Sequence, residues 1–126
     1  MSSRYFYIDG DDIGLKIEKC FMENDEDGLA RINKHVSTAI DNITEFLCSS
    51  SCEVIFSGAD GIICKTESQL EPSEILDYIR ETNSVLTFSV GTADSLCDAY
   101  VALRYAKSHG KNVAVLYEHS VFTILS

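Results

Sequence analysis

Three short stretches carry the residue types that metal and phosphate chemistry require. The first is YFYIDGDDIG, residues 5–14, where Asp9, Asp11 and Asp12 fall within four positions at the end of an apolar run. Carboxylates directed into one low-dielectric place repel each other strongly unless a cation neutralises them. The plainer reading is an exposed acidic turn that caps the following helix. The second stretch is SGADG, residues 57–61, with Asp60 in a turn. Asp and Gly belong in tight turns for conformational reasons alone, so Asp60 gains chemical meaning only if it lies beside Asp9. Two carboxylates on neighbouring strands make an oxygen-only site that suits Mg²⁺ or Mn²⁺, and two such ions about 3.5–4 Å apart can clamp a phosphoryl displacement. The third is ALRYAKSHGKN, residues 102–112, in which Lys107 and Lys111 stand four apart near a helix end. Lysine there is favoured by the helix dipole. In so acidic a chain the pair is also a candidate for binding a triphosphate tail.

The elements that must position these residues follow from periodicity and breakers. Residues 4–8 are aromatic and β-branched and predict a buried strand that stops at Asp9-Gly10. A helical pattern runs from Ile13 to about Met22, and the acidic stretch 23–28 reads as a break. Leu29, Ile32, Val36, Ile40, Ile43 and Leu47 then recur every three or four residues, which places one apolar stripe on a long helix. Residues 53–56 and 62–65 predict a hairpin around the Gly-containing turn 57–61. Pro72 opens a helix to about Glu81, residues 85–91 read as a strand, and Asp94 or Ser95 caps a helix that Gly110 ends. Residues 112–117 and 121–125 are the last strands. The order contains βαββαβ, so the expected class is α+β: a ferredoxin-like split unit with an extra helix and a C-terminal strand. In such a sheet the first strand neighbours the hairpin, which would set Asp9 beside Asp60. No repeat, low-complexity tract or linker interrupts residues 1–126, and one domain is expected.

Composition narrows the partners. A net charge of −10, from 20 acidic and 10 basic residues, repels nucleic-acid backbones and anionic lipid, so neither is expected to bind directly. A small phosphorylated substrate remains open, given cations to hold it. The five cysteines form no CxxC pair and are odd in number, which fits free thiols in a reducing cytoplasm. The first residues, MSSRYFYIDG, have no apolar signal-peptide core, and no stretch approaches the roughly 20 apolar residues of a membrane span. His35, His109 and His119 lack metal-ligand spacing and are expected at the surface. Cys48 and Cys52 are expected in packing, as are Tyr5 and Tyr7.

The motifs IDGDDIG, SGADG and ALRYAKSHGKN, with FSVGTA at 88–93, resemble the palm domain shared by GGDEF diguanylate cyclases and the polymerase-like subunit of type III CRISPR complexes. There, an Asp ends the first strand, a GGDE or GGDD hairpin supplies a second metal ligand, and an A-L-x-x-A-K-x-x-G-[RK]-N helix end binds phosphates. The chain's shortness most resembles the minimal CRISPR polymerase family, which makes cyclic nucleotides in bacterial anti-phage defence.

That resemblance implies specific roles. Asp9 and Asp60 match the catalytic, metal-binding carboxylates, and the carbonyl of Gly10 matches a further metal ligand. Backbone N–H groups of Asp11, Asp12 and Ile13 would contact phosphates, as helix starts do, and Lys107 and Lys111 match the triphosphate-binding pair. Gly61 stands where many relatives carry a second acidic residue, which leaves Asp11 or Asp12 to supply acid–base assistance. Diguanylate cyclases read guanine with an Asn eight positions after the first metal Asp; Ile17 stands there, which favours ATP over GTP. The expectation is a nucleotidyltransferase that makes a cyclic di-AMP-type, 2′,3′-linked product with a two-metal Mg²⁺ or Mn²⁺ site. It would act as a homodimer and signal to a separate cyclic-nucleotide-binding effector. The alternatives are a GTP-acting palm enzyme, either a diguanylate cyclase or one similar to GTP cyclohydrolase III, and a non-catalytic nucleotide sensor.

Overall fold

A computed structural model describes residues 3–125. From β1 (Arg4–Gly10) the chain runs through α1 (Ile13–Met22) and α2 (Glu26–Ser49) into the hairpin β2 (Glu53–Gly58) and β3 (Gly61–Thr66). It continues through α3 (Pro72–Thr82), β4 (Phe88–Ala93), α4 (Leu96–Ser108), β5 (Ala114–Glu118) and β6 (Val121–Leu125). The strands form one sheet in the order β2-β3-β1-β4-β5-β6. The β4–β5 pair is parallel and every other neighbouring pair antiparallel. The expected βαββαβ unit spans β1 to β4, with α1 and α2 together filling the first helical position. Beyond it lie α4 and the hairpin β5–β6.

One face of the sheet builds the main core. Phe6 and Ile8 of β1, Ile62 and Cys64 of β3, and Phe88 and Val90 of β4 are fully buried against the stripes of α2 and α3. Each large side chain so buried contributes about 1.5–3 kcal/mol relative to exposure. The alternate residues, Tyr5, Tyr7 and Asp9, point to the other face, which α4 covers across β4, β5 and part of β1. Contact there is closest at Gly91: a Cβ would lie 2.3 Å from the amide nitrogen of Leu103 and 2.5 Å from the carbonyl of Ala99. The small residues Ala99, Ala102 and Ala106 complete that fit. On this face β2 and β3 are left uncovered by helix. No helix among the described residues is long and apolar enough to cross a membrane.

Local chemistry moves several expected boundaries. The break before α2 is shorter than 23–28, because the Asp25 carboxylate accepts the Gly28 N–H at 2.8 Å and starts the helix at Glu26. β4 begins at Phe88 rather than 85, since the Asn83 side-chain oxygen takes the N–H groups of Val85 and Leu86 and folds that segment into a turn. β5 begins at Ala114 rather than 112, because Lys111 and Asn112 adopt φ of 60° and 50°. The hairpin turn narrows to Ala59-Asp60, closed by the Gly58–Gly61 pair. Cys52 is buried as expected, whereas Cys48 is exposed on the polar side of the end of α2.

Candidate active site

Asp9 lies on the central strand directly across from Gly61, and Asp60 is the residue before it. The Gly10 N–H donates to the Asp60 carbonyl at 2.9 Å, which fastens the end of β1 to the hairpin turn. Both glycines keep the junction open. A Cβ at Gly10 would approach Ile13 Cγ1 to 2.7 Å, and one at Gly61 would lie 3.1 Å from Asp9 Oδ1. Burial raises the Asp9 carboxyl above its ordinary value; the positive charge of Lys107 offsets part of this, and the negative charge of Asp60 adds to it. The Tyr7 hydroxyl is raised too, by burial and then by the charges of Asp9 and Asp60. The register that sets Asp9 across from Gly61 accounts for the effect of the Asp60 charge on both groups.

Lys107 reaches this junction from the last turn of α4. Its ammonium donates to the carbonyls of Gly10 at 2.8 Å and Asp9 at 3.2 Å, and it pairs with Asp9 Oδ2 at 3.3 Å and Asp11 Oδ1 at 2.8 Å. Asp11 is almost wholly buried and accepts further hydrogen bonds from Ser89 Oγ, Thr87 Oγ1 and the Asn112 N–H. Burial alone would raise its carboxyl, but the hydrogen bonds from Lys107, Ser89 and Thr87 outweigh that and hold it below the ordinary range. A carboxylate so saturated cannot accept a substrate proton, which removes Asp11 as a replacement for the acid missing at Gly61. The Asp11 N–H is also committed, to the Thr87 carbonyl at 2.9 Å. Of the three expected phosphate-contacting amides, this leaves Asp12 and Ile13 at the start of α1. Asp12 adopts φ of 58° and pairs with Lys111.

The donors at the junction are the carboxylates of Asp9 and Asp60 and the carbonyl of Gly10, oxygen ligands of the type that hard divalent ions take. No group of three or more His, Cys, Asp or Glu side chains suited to a metal occurs among the described residues. Any ion held here would therefore depend on the Gly10 carbonyl and on substrate oxygens as well as the two carboxylates. The Lys107 ammonium already places a cation against Gly10 O and Asp9, so the junction accommodates positive charge. The residues fit a divalent ion on that ground.

Beside the junction a cleft of about 670 Å³ opens between α1 and α2. Ile13, Ile17, Ile32 and Val36 give it apolar walls, Asn33 and Ser37 add polar groups, and Asp60 contributes to its lining. Sequence reasoning did not anticipate the hydrogen-bonding roles of Thr87 and Ser89. Tyr7, expected in packing on the face alternate to Phe6, lies on the face that carries Asp9, half-buried and 6.3 Å from Tyr100 between ring centroids.

The same arrangement of strands and helices recurs in solved structures. The active GGEEF domain of a diguanylate cyclase from Vibrio cholerae superposes with a TM-score of 0.71 at 16% identity, covering 95% of this chain and 85% of that one. A GGDEF domain from Pseudomonas aeruginosa gives 0.68 at 18% identity, covering 93% and 83% respectively. A diguanylate cyclase/phosphodiesterase from Caldicellulosiruptor saccharolyticus gives 0.63 at 16% identity, covering 97% and 79%. No curated protein sequence matches the chain. The fold class is thus the GGDEF-type palm. Within it, the chain belongs to the mCpol family, the minimal CRISPR polymerase domain, which matches over residues 5–117.

Proposed function

We propose that this palm is a divalent-metal-dependent nucleotidyltransferase that converts ATP into a cyclic di-AMP-type dinucleotide with a 2′,3′ linkage pattern. The observation that carries the reading is the pairing of Asp9 with Gly61, which sets the Asp9 carboxylate beside the turn residue Asp60 and the Gly10 carbonyl. Membership in the mCpol family supports it. In each step a ribose hydroxyl oxygen bonds to the α-phosphorus of the donor triphosphate. The bond to the bridging oxygen breaks, pyrophosphate leaves with the electron pair, and the hydroxyl proton passes to solvent. A bound Mg²⁺ or Mn²⁺ pair supplies charge neutralisation and acidifies the attacking hydroxyl. Asp9, Asp60 and the Gly10 carbonyl hold that charge in place. Once ions take the Asp9 and Gly10 oxygens that Lys107 now contacts, Lys107 would turn to the triphosphate with Lys111 and the amides of Asp12 and Ile13, and the α1–α2 cleft takes the donor base. Ile17 lines that cleft and offers no hydrogen bond to guanine, which supports ATP over GTP.

One palm holds one donor, and ring closure needs two nucleotides, so the working unit is a symmetric homodimer. The product serves cytoplasmic anti-phage signalling through a separate effector that binds the cyclic nucleotide. Incubation with ATP or GTP and Mn²⁺, followed by mass spectrometry and nuclease digestion of the products, tests substrate and linkage together. Asp60→Ala removes a carboxylate from a half-buried turn, so it is expected to abolish product while the circular dichroism spectrum stays native. The loss should reach at least about 10²–10³ in rate. Turnover equal to wild type would refute the site.

A second reading, a non-catalytic nucleotide sensor, is favoured by one observation: Lys107 lies across the oxygens that a metal would use. Triphosphate binding that needs no added divalent metal, without turnover of any nucleotide, would select it.

A further inference from the structure

The face of the sheet that carries Asp9 continues away from the carboxylates as a row of aromatic and apolar side chains. Tyr7 lies opposite Ile63, and Ile63 opposite Phe56, so the three share one cross-strand row adjacent to the row Asp9–Gly61–Gly58. From α4, Tyr100 extends the row, its ring centroid 6.3 Å from that of Tyr7. Phe56 and Tyr100 are 56% and 52% exposed, so their rings are open to a partner from solvent. Nothing shields the row on the side of the carboxylates. Gly61 and Gly58 have no side chains, and a Cβ at Gly61 would lie 3.6 Å from Tyr7 Cε1. One helical turn after Tyr100 stands Arg104, on the flank of α4 between Tyr100 and Lys107. It is exposed and has no carboxylate within ion-pair distance among the described residues.

We infer that Phe56, Ile63, Tyr7 and Tyr100 form a stacking platform for the base of the second, attacking nucleotide, with Arg104 held for its phosphate; this rests on the nucleotidyltransferase reading given above. Three observations select a nucleotide rather than another occupant. Flat rings in a row stack on any nucleobase, and a free guanidinium at the platform edge suits phosphate in a chain otherwise strongly acidic. The platform is continuous with the catalytic junction. Tyr7 and Asp9 are two residues apart on one strand, about 7 Å, a step comparable to the reach from a base to the hydroxyls of its own ribose. A base lying on Tyr7 therefore brings those hydroxyls over the glycine floor beside Asp9. The donor base, in contrast, has its own place in the α1–α2 cleft, which lies under the opposite face of the sheet.

Photolabelling with 8-azidoadenosine 5′-monophosphate in EDTA tests the platform without turnover or metal. Peptide mass mapping is expected to locate the label at Tyr7, Tyr100 or the β2 strand, competed by AMP and lost in Phe56→Ala/Tyr100→Ala. Label confined to the α1–α2 cleft, or none, overturns the inference. In the turnover assay each single variant should lower product formation about tenfold, the loss expected for one stacking contact. Its affinity for α,β-methylene-ATP with Mg²⁺ should stay that of wild type. An equal loss of affinity for this donor analogue would assign the residues to the donor site, and loss of the dimer in sedimentation would assign the face to a protein interface; either result overturns the platform. If the wild type makes no product from ATP or GTP, the proposed function fails, and the labelling result still decides the platform by itself.

Discussion

Asp9 and Asp11 sit two residues apart and have opposite electrostatic fates, and the cause is local. Asp9 projects toward Asp60 with one lysine to offset burial, and its carboxyl is raised. Asp11 projects to the end of α4 and the start of β4, where hydrogen bonds from Thr87, Ser89 and the Asn112 N–H and the same lysine hold it ionised. The sequence shows only an acidic run and cannot separate a ligand from a structural anchor, because that depends on which neighbours fold against each carboxylate. The folded-state value of Asp11 lies below its unfolded one. Its contribution to stability is therefore complete above the ordinary carboxylate range and is lost as pH falls from about 4 through the lowered value. Urea unfolding as a function of pH should show a shallower acid limb in Asp11→Asn than in wild type. The triphosphate-binding motif of Lys107 implies that Lys107→Ala raises the KM for triphosphate. The structure adds a stability cost of about 3 kcal/mol, because the variant leaves the buried Asp11 carboxylate without its cation. A variant with unchanged stability and a raised KM would show that Lys107 acts on substrate alone.

At the scale of elements, the periodic segments were legible and their ends were not. Of the stripe from Leu29 to Leu47, Val36, Ile40, Ile43 and Leu47 are buried in α2 while Leu29 and Ile32 are half-buried at the α1–α2 cleft, and Pro72 opens α3 with Glu71 and Glu74 bonding reciprocally at its start. The ends moved wherever a side chain competed with the backbone, as Asn83 does before β4 and Asp25 does before α2. Also illegible was the contact at Gly91. FSVGTA gives no sign that a helix backbone will lie against its glycine, since that follows from how α4 returns across the sheet. The contact matters for the site because α4 carries Lys107 and Tyr100. In Gly91→Ala the new methyl would meet backbone atoms of Leu103 and Ala99 that cannot rotate away. The variant should lose about 2 kcal/mol of stability, read as a lower urea midpoint. It should also lose activity beyond what that stability loss explains, because α4 must lift. Wild-type activity in a destabilised Gly91→Ala would mean that the helix tolerates displacement.

The whole molecule draws residues 9, 60 and 107 together through the central position of β1, with the hairpin on one side and β4 under α4 on the other. The meeting of residues 9 and 60 followed from the element order, because a βαββαβ unit leaves its first strand between the third and the fourth, whereas Lys107 arrives from α4, outside that unit. The number of copies at work does not follow from one chain. A ring of two nucleotides needs two donors and two acceptors, yet each palm offers one carboxylate pair and one α1–α2 cleft. A second palm would supply the second donor that ring closure requires. Rates then depend on assembly. At protein concentrations below the dimer dissociation constant, initial product formation should rise with the square of protein concentration, and specific activity should level off above it. Mixing provides the sharper measurement. Excess Asp60→Ala protein, folded but lacking the proposed catalytic carboxylate, should draw wild-type chains into mixed dimers that cannot close a ring, and product should fall toward zero as the variant is added. A rate linear in wild-type concentration throughout, and indifferent to the added variant, would mean that a single palm completes both bond-forming steps alone.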